Sequence, residues 1–274
     1  MIKKIIIFIA LLFICVNNIS LADEALTITG TGDSMDILRI LSFEFNKNNP
    51  GIRIIIPESV GSGGGIKAVY EEKAELGRIA REIKEGEKKY NLNSIWFAYS
   101  PVVFVVNFSG KGIDNITYQG IVDIYSGKIA FWNEMGGASR KIYVANREEG
   151  DSSRLILEKF VPGFKAINPF AGKILYSTQE AAAVLVKHKD TIGYVPYSIA
   201  IEKNFNVLKL NGIYPSVESI KNKSYSLITP LGIVWKGELK GANKKFVDFL
   251  FSPAAQKIMA EHGTVPVERQ TPLK

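Results

Sequence analysis

The chain has 274 residues, 46% of them hydrophobic, and its 34 lysines and arginines outnumber 27 aspartates and glutamates for a formal net charge of +7. That length sustains two lobes with cores of their own, and the lone cysteine, Cys15, excludes a disulfide framework or a Cys-ligated metal site in the chain beyond it. Basic residues such as Lys47, Arg53, Lys128, Lys159 and Lys244 are dispersed rather than clustered with aromatics, which excludes a nucleic-acid footprint and leaves a solvated basic surface able to attract small anions.

The chain opens on a targeting signal. Lys3 and Lys4 form a charged start, Ile5 to Val16 a short apolar run, and Ser20-Leu21-Ala22 a small-x-small cleavage pattern, so residues 1–22 read as a secretory signal peptide cut after Ala22. The run is shorter than the roughly twenty residues of a spanning helix. A lipoprotein reading would use Cys15, but Ile14 stands where a small residue is required. Cleavage leaves 32 basic residues against 27 acids, a charge of +5, since only Lys3 and Lys4 are lost among ionisable groups. With no second long apolar run, the mature protein is expected to be soluble, secreted across the inner membrane and periplasmic.

Strand-like and helix-like runs then alternate, which predicts α/β architecture with mainly parallel sheets. Leu26–Thr29 reads as a strand, and Met35 to Asn46 as a helix with Ile37, Leu38, Leu41 and Phe45 on one face, stopped at Asn48-Asn49-Pro50. Ile52–Ile56 reads as a buried strand, Ile66–Lys73 as a helix and Leu76–Ile79 as a strand. Pro101–Asn107 and Gly232–Trp235 are two strongly β-forming strands that bracket a self-contained α/β block. That block holds helices over Tyr118–Ser126, Ser152–Phe160 and Thr178–Lys187, and strands over Ile142–Ala145 and Thr191–Val195. Two helices follow Trp235, the second announced by Ser252-Pro253 as cap and first position. A block inserted into an outer one predicts a lobe of residues 23–100 and 229–274, a second lobe of 101–228, and a two-crossing hinge with a cleft between.

Three small-residue segments carry the chemistry: TGTGDSM (Thr29–Met35), VGSGGGIK (Val60–Lys67) and NREEGDSSR (Asn146–Arg154). Each follows a strand-like run and opens a helical pattern, so each aims backbone N–H groups and serine hydroxyls at one spot, as an anion site requires. Val60–Lys67 lacks the Gly-Lys-Ser/Thr ending of a nucleotide P-loop; Gly63 and its neighbours still permit close backbone approach, and Ser62 offers a hydroxyl. Ser34 is a helix cap or an anion ligand, positions that coincide because both use the same N–H groups. Asp151 and Ser152 carry the same ambiguity. Arg147 is a surface charge, or a guanidinium that grips two oxyanion oxygens ahead of Gly150–Ser153. Only His188 and His262 are present, neither near a serine loop in sequence, so a Ser–His–acid hydrolase is the weaker reading and a transition-metal site has too few ligands.

Taken together these segments resemble the extracytoplasmic phosphate-binding proteins of ABC importers, over most of the mature chain. VGSGGGIKAV resembles that family's glycine-rich turn, IVDIYSGKIAFWNE (Ile121–Glu134) its central helix-and-tryptophan signature, TIGYVPYSIA (Thr191–Ala200) its Ile-Gly-Tyr-Val segment, and SPAAQKIMAEHGTVPV (Ser252–Val267) its closing helix. The resemblance implies a type II periplasmic-binding-protein-like fold with two α/β domains. It makes Ser34, the Met35 N–H, Ser62, Gly63, Arg147, Asp151, Ser152 and Ser153 the ligand contacts. It implies inorganic phosphate or a similar tetrahedral oxyanion as ligand, a membrane permease as partner, no cofactor, no metal, no covalent chemistry and a monomeric state. One departure stands in ELGRIAR (Glu75–Arg81): Ala80 replaces a hydroxyl residue and Arg81 stands where several members carry a phosphate-contacting aspartate. Asp151 or Asp33 is then the candidate replacement acceptor, while Arg78 and Arg81 are expected to make the site more cationic. The rival readings are an oxyanion sensor for a membrane receptor and a secreted phosphoesterase or acyl hydrolase.

Overall fold

The computed structural model describes residues 24–108 and 112–270; the expected signal peptide, with Cys15, lies outside them. In chain order the strands and α-helices are β1 Glu24–Gly30, α1 Met35–Asn48, β2 Ile52–Ile55, α2 Gly61–Tyr70, β3 Leu76–Ile79, β4 Asn93–Val106, β5 Asn115–Ile116, α3 Tyr118–Tyr125, β6 Tyr143–Arg147, α4 Ser152–Phe160, β7 Lys173–Leu175 and α5 Thr178–Lys187. They continue as β8 Thr191–Pro196, α6 Tyr197–Glu202, β9 Asn206–Val207, β10 Lys209–Leu210, α7 Val217–Lys221, β11 Ile228–Trp235, α8 Gly241–Leu250, α9 Pro253–Glu261 and β12 Val265–Pro266. Among the described residues no helix is long and apolar enough to cross a membrane.

The main sheet runs β2-β1-β3-β11-β4-β8-β6-β7. Its two wings are parallel, β1 with β2 and β3, and β6 with β7 and β8. The joining strands are not: β11 is antiparallel to β3 and to β4, and β4 to β8. The expectation of mainly parallel sheets is therefore corrected at the centre. Strands that pass between two lobes need no helical crossover, so they are free to pair antiparallel.

Two large apolar cores form on the two wings. One gathers Leu26, Ile28, Leu38, Leu41, Phe45, Phe97, Ile233 and Phe246; the other gathers Val103, Phe104, Tyr125, Trp132, Phe164, Tyr194 and Leu227. β4 belongs to both, placing Ile95, Phe97 and Ala98 in the first and Val102–Val106 in the second. It is 14 residues long, double the expected segment, because Asn93–Ser100 carries polar residues that disguise a strand with buried partners on both sides. The short β12 lies along the same crossing, pairing Val265 with Tyr99.

Local signals explain the helices nearest the cleft. α1 buries Ile37, Leu38, Leu41 and Phe45 as one stripe, each worth about 1.5–3 kcal/mol of burial. α4 is capped by the Asp151 carboxylate, which accepts the Arg154 N–H, and α5 by Ser177, which accepts the Glu180 N–H. α2 corrects the expected helix at Ile66–Lys73. It begins at Gly61, so the glycine run is itself the start of the helix, and it ends at Tyr70. Gly65 explains the run: a Cβ there would stand 2.8 Å from Gly30 Cα and 2.9 Å from the Thr29 carbonyl oxygen, so only glycine lets α2 press onto β1.

Candidate functional site

Four helices, α1, α2, α4 and α5, start at the seam between the two wings and turn their positive ends toward it. The first two come from one core's wing and the last two from the other's. A cleft of about 250 Å³ opens there, lined by Thr31 and Gly32 from the first loop, Ser62 and Gly63 from the second, and Arg147, Asp151 and Ser152 from the third. The three segments singled out in the sequence converge. A larger groove of about 680 Å³ lies elsewhere, over Ile129, Ile142 and Lys173, and includes none of these loop residues.

Arg147 is the charged centre, 4% exposed at the end of β6. Its backbone is fixed from behind: its N–H donates to the Asn146 side-chain oxygen at 2.8 Å and to the Tyr194 hydroxyl at 3.1 Å, while Tyr194 itself donates to Asn146 at 2.8 Å. The guanidinium then reaches Asp151 at 2.6 Å, the Thr178 hydroxyl at 3.1 Å and the Leu175 carbonyl at 3.4 Å. Thr178 passes the contact across the seam by donating to Asp33 Oδ1 at 3.0 Å. A second bridge joins the Ser62 and Ser152 hydroxyls at 3.1 Å, and a third runs from the Gln179 amide to the Gly32 carbonyl at 3.4 Å.

Asp33 is 3% exposed. Burial pushes its carboxyl up to about 7, and the nearby Asp151 carboxylate adds to the rise; Arg147 and the hydroxyls of Thr178 and Ser153 pull the other way. Asp33 Oδ2, Ser34 Oγ and Ser153 Oγ are all buried without a hydrogen-bond partner of standard geometry. A polar ligand at the seam would supply partners to these atoms.

The expected site residues fall into two groups. Ser34, Ser62, Gly63, Arg147, Asp151, Ser152 and Ser153 are drawn to the seam or its cleft. Ser62 Oγ accepts the Ala80 N–H at 3.0 Å, which leaves its proton free to point across the cleft. The Met35 N–H is held by the Gly32 carbonyl at 3.2 Å and its side chain is buried in the interior.

The two arginines of β3 and its end require correction. Arg78 is fully buried, and its guanidinium donates to the carbonyls of Ile28, Gly30, Thr31 and Pro57 at 2.8–3.2 Å. Burial pulls it down to about 10, so it stays charged, but its donors are committed to the loop backbone and it serves as a scaffold for the first two loops. Arg81 lines the cleft, yet both its terminal nitrogens bind Glu87 at 2.8 Å. The expectation of a more cationic cage therefore fails, because one arginine holds carbonyls and the other is neutralised by its carboxylate. Thr178 and Thr31 were not singled out by sequence reasoning. Thr178 looked like an ordinary first residue of a helix, and the Ser177 cap before α5 was its only signal.

Two wings carrying separate cores, with polar loops and helix N-termini converging at their seam, define the class of two-lobed binding proteins. The chain belongs to the PBP superfamily, whose domain profile matches residues 19–254. Among relatives, the phosphate-binding protein PstS of Bacillus subtilis is 26% identical over 249 residues, covering 90% of this chain and 82% of its own. PstS of Borreliella burgdorferi is 27% identical over 281 residues, covering 97% and 99%. A Clostridium perfringens protein assigned as a phosphate ABC transporter substrate-binding protein, solved by X-ray crystallography with phosphate bound, superposes with a TM-score of 0.80 at 27% identity, over 89% of this chain and all of that one.

Proposed function

We propose that this protein is an extracytoplasmic solute-binding protein that captures phosphate and delivers it to the permease of an ABC importer. The observation that carries this reading is the buried Arg147 at the seam, with the Ser62 and Ser152 hydroxyls meeting across the cleft beside it. A tetrahedral oxyanion supplies acceptors for those hydroxyls and for the helix N-termini, and charge for the guanidinium. The phosphate-binding relatives and the phosphate-bound structural neighbour support the choice of ligand. The lobes assigned are residues 23–100 with 229–274 and residues 101–228, and the separate cores on the two wings support that division. Export by the signal peptide of residues 1–22 and action as a monomer complete the reading.

The hydrolase reading needs a base beside a loop serine. Among the described residues the cleft lining holds no histidine: His188 lines the larger groove, and His262 a third pocket that also includes Asp36. Binding without covalent chemistry accounts for the same serines.

Thermal unfolding of protein stripped of ligand by unfolding and refolding tests the proposal. Ligand at a hundredfold excess over Kd adds about 2.7 kcal/mol of stability, so phosphate should raise the melting temperature clearly. No shift with phosphate, arsenate, sulfate or molybdate overturns it.

A further inference from the structure

The larger groove lies at the opposite end of the second wing's parallel strands from the seam. β6 ends at Arg147, in the site, whereas the groove is lined by Ile142, Tyr143 and Val144 at or just before its start. Lys173 from the start of β7 and Thr191 from the start of β8 line it too. At about 3.3 Å per residue of strand, the two places stand roughly 13 Å apart along β6. No described residue lines both. The groove's volume, about 680 Å³, falls within the roughly 300–1,000 Å³ of small-molecule sites.

Its floor and its rim differ in chemistry. Ile124, Ile142 and Val144 are buried in the lining, and Ile129, Ala171 and Val184 are half-buried along it, so the floor is aliphatic. Lys141, Lys173, Lys187 and Lys189 stand exposed on the rim. Among the described residues the lining holds no aspartate or glutamate, and of these four lysines only Lys173 is in an ion pair, with Glu180 at 3.6 Å. The neighbouring Asp190 is taken by Arg140 at 2.9 Å. Lys187 closes α5, where a cation answers the helix dipole without any ligand. Lys141 and Lys173 lie by strand starts and have no such reason to be there. Lys141 precedes β6 by as much as Lys189 precedes β8, and Tyr143 pairs with Thr191 in parallel register, so both lysines fall at one end of the sheet. At that same end the Thr191 hydroxyl lines the groove, 2% exposed and without a hydrogen-bond partner.

We propose that this groove is a second binding site, for an anionic amphiphile with one alkyl chain, a fatty-acid carboxylate or an alkyl phosphate. The chain lies over the floor of Ile142 and Val144, and the head group meets Lys141, Lys189 and the Thr191 hydroxyl. Each half of the ligand answers one half of the groove. An aliphatic floor gains from burying methylenes, while ammonium groups and a hydroxyl proton suit an oxyanion head. Concavity selects a single molecule, since a bilayer would need a flat or convex face to meet its many head groups. The site does not depend on phosphate capture at the seam, with which it shares no lining residue.

The test is calorimetric titration of octanoate, decanoate and laurate, each below its micelle concentration, into the whole folded chain. Dodecyl maltoside serves as the neutral probe and phosphatidylglycerol vesicles as the membrane probe. The expected result is saturable binding of a single laurate, with affinity rising about two- to fourfold for each methylene added. Dodecyl maltoside and the vesicles should bind little. Lys141→Glu combined with Lys189→Glu should weaken laurate about tenfold or more and leave phosphate affinity unchanged, and Thr191→Val should weaken laurate about two- to tenfold. Absence of saturable binding, indifference to chain length, equal binding of the maltoside, or binding that survives the charge reversal overturns the proposal. So does association with vesicles alone, and so does displacement of laurate by phosphate, which would put the amphiphile in the seam. If the charge-reversed chain does not fold, the chain-length series and the neutral probe in the wild type decide.

Discussion

Two buried arginines of equal formal charge do different work here because of what their nitrogens meet. Arg147 meets a carboxylate, a hydroxyl and one carbonyl beside bare polar atoms, so a ligand can enter its coordination. Arg147→Ala should weaken phosphate binding by about 2–5 kcal/mol. Arg140→Ala should change it little, because Arg140 sits on the surface, pairs with Asp190 at 2.9 Å and stacks over Phe108. Equal small effects in titration calorimetry would make Arg147 an ordinary charge. Arg78 meets only carbonyls. Arg78→Met strips donors from four of them, at about 1–3 kcal/mol for each left unsatisfied, so chemical denaturation should show a loss of several kcal/mol. Asp33 adds a pH dependence of its own. Its folded pKa, about 7, lies above the unfolded value, so between about pH 4 and pH 7 the folded state keeps a proton that the unfolded chain has released. Stability of the ligand-free protein should therefore fall as pH rises through that window and level above it. Asp36, also raised by burial, contributes with the same sign, so Asp33→Asn should flatten the slope without abolishing it. Denaturation series at several pH values check both statements.

At the scale of elements, helices with a one-sided apolar stripe and a cap were legible in the sequence. α4, α5 and α9 fall where the sequence places helices, and Asp151, Ser177 and Ser252 cap them, because cap chemistry is local. The same holds for Trp132, which the sequence placed in a family signature; it is fully buried against Phe108 and donates to the Asp190 carbonyl. What the sequence hid depends on distant partners. The glycine run of α2 has poor helix propensity, and its helical state follows from packing on β1, which no local pattern reports. The first half of β4 was missed for the same reason, since Trp96, Tyr99 and Ser100 make sense only beside β11. Of the site, the three loops and Arg147 were readable, but the commitment of Arg78 to carbonyls and of Arg81 to Glu87 was not, because it depends on where separate segments meet. Gly65→Ala tests the packing account directly. Its Cβ would meet backbone atoms at 2.8 and 2.9 Å, so α2 must lift from β1 at a cost of about 1–3 kcal/mol. That shift should also displace Ser62 and weaken phosphate binding. Gly51→Ala, with nothing within 4 Å of the new atom, should leave both stability and affinity almost unchanged.

For the whole molecule, the arrangement of bonds at the seam bears on motion. β4 passes from one core into the other and β11 pairs along it with a register shift between Leu231 and Gly232, so the two cores are joined by few strands, the arrangement a hinge requires. Across the seam the wings are bridged by Ser62 to Ser152, Thr178 to Asp33 and Gln179 to Gly32. Each neutral bond contributes about 0.5–1.5 kcal/mol net, and the second of them leaves Asp33 Oδ2 bare. Closure without ligand is therefore held by weak contacts and opposed by buried polar atoms that water would satisfy in an open form. A bound oxyanion reverses that balance, since it partners the bare atoms of both lobes at once. The expected outcome is a protein whose radius of gyration in small-angle scattering shrinks on adding phosphate. Ser62→Ala combined with Ser152→Ala should leave the free protein open and weaken phosphate binding while preserving contraction at saturation. Scattering curves that superpose with and without saturating phosphate would mean a cleft already closed, and the seam would then act as a fixed receptor rather than a hinge.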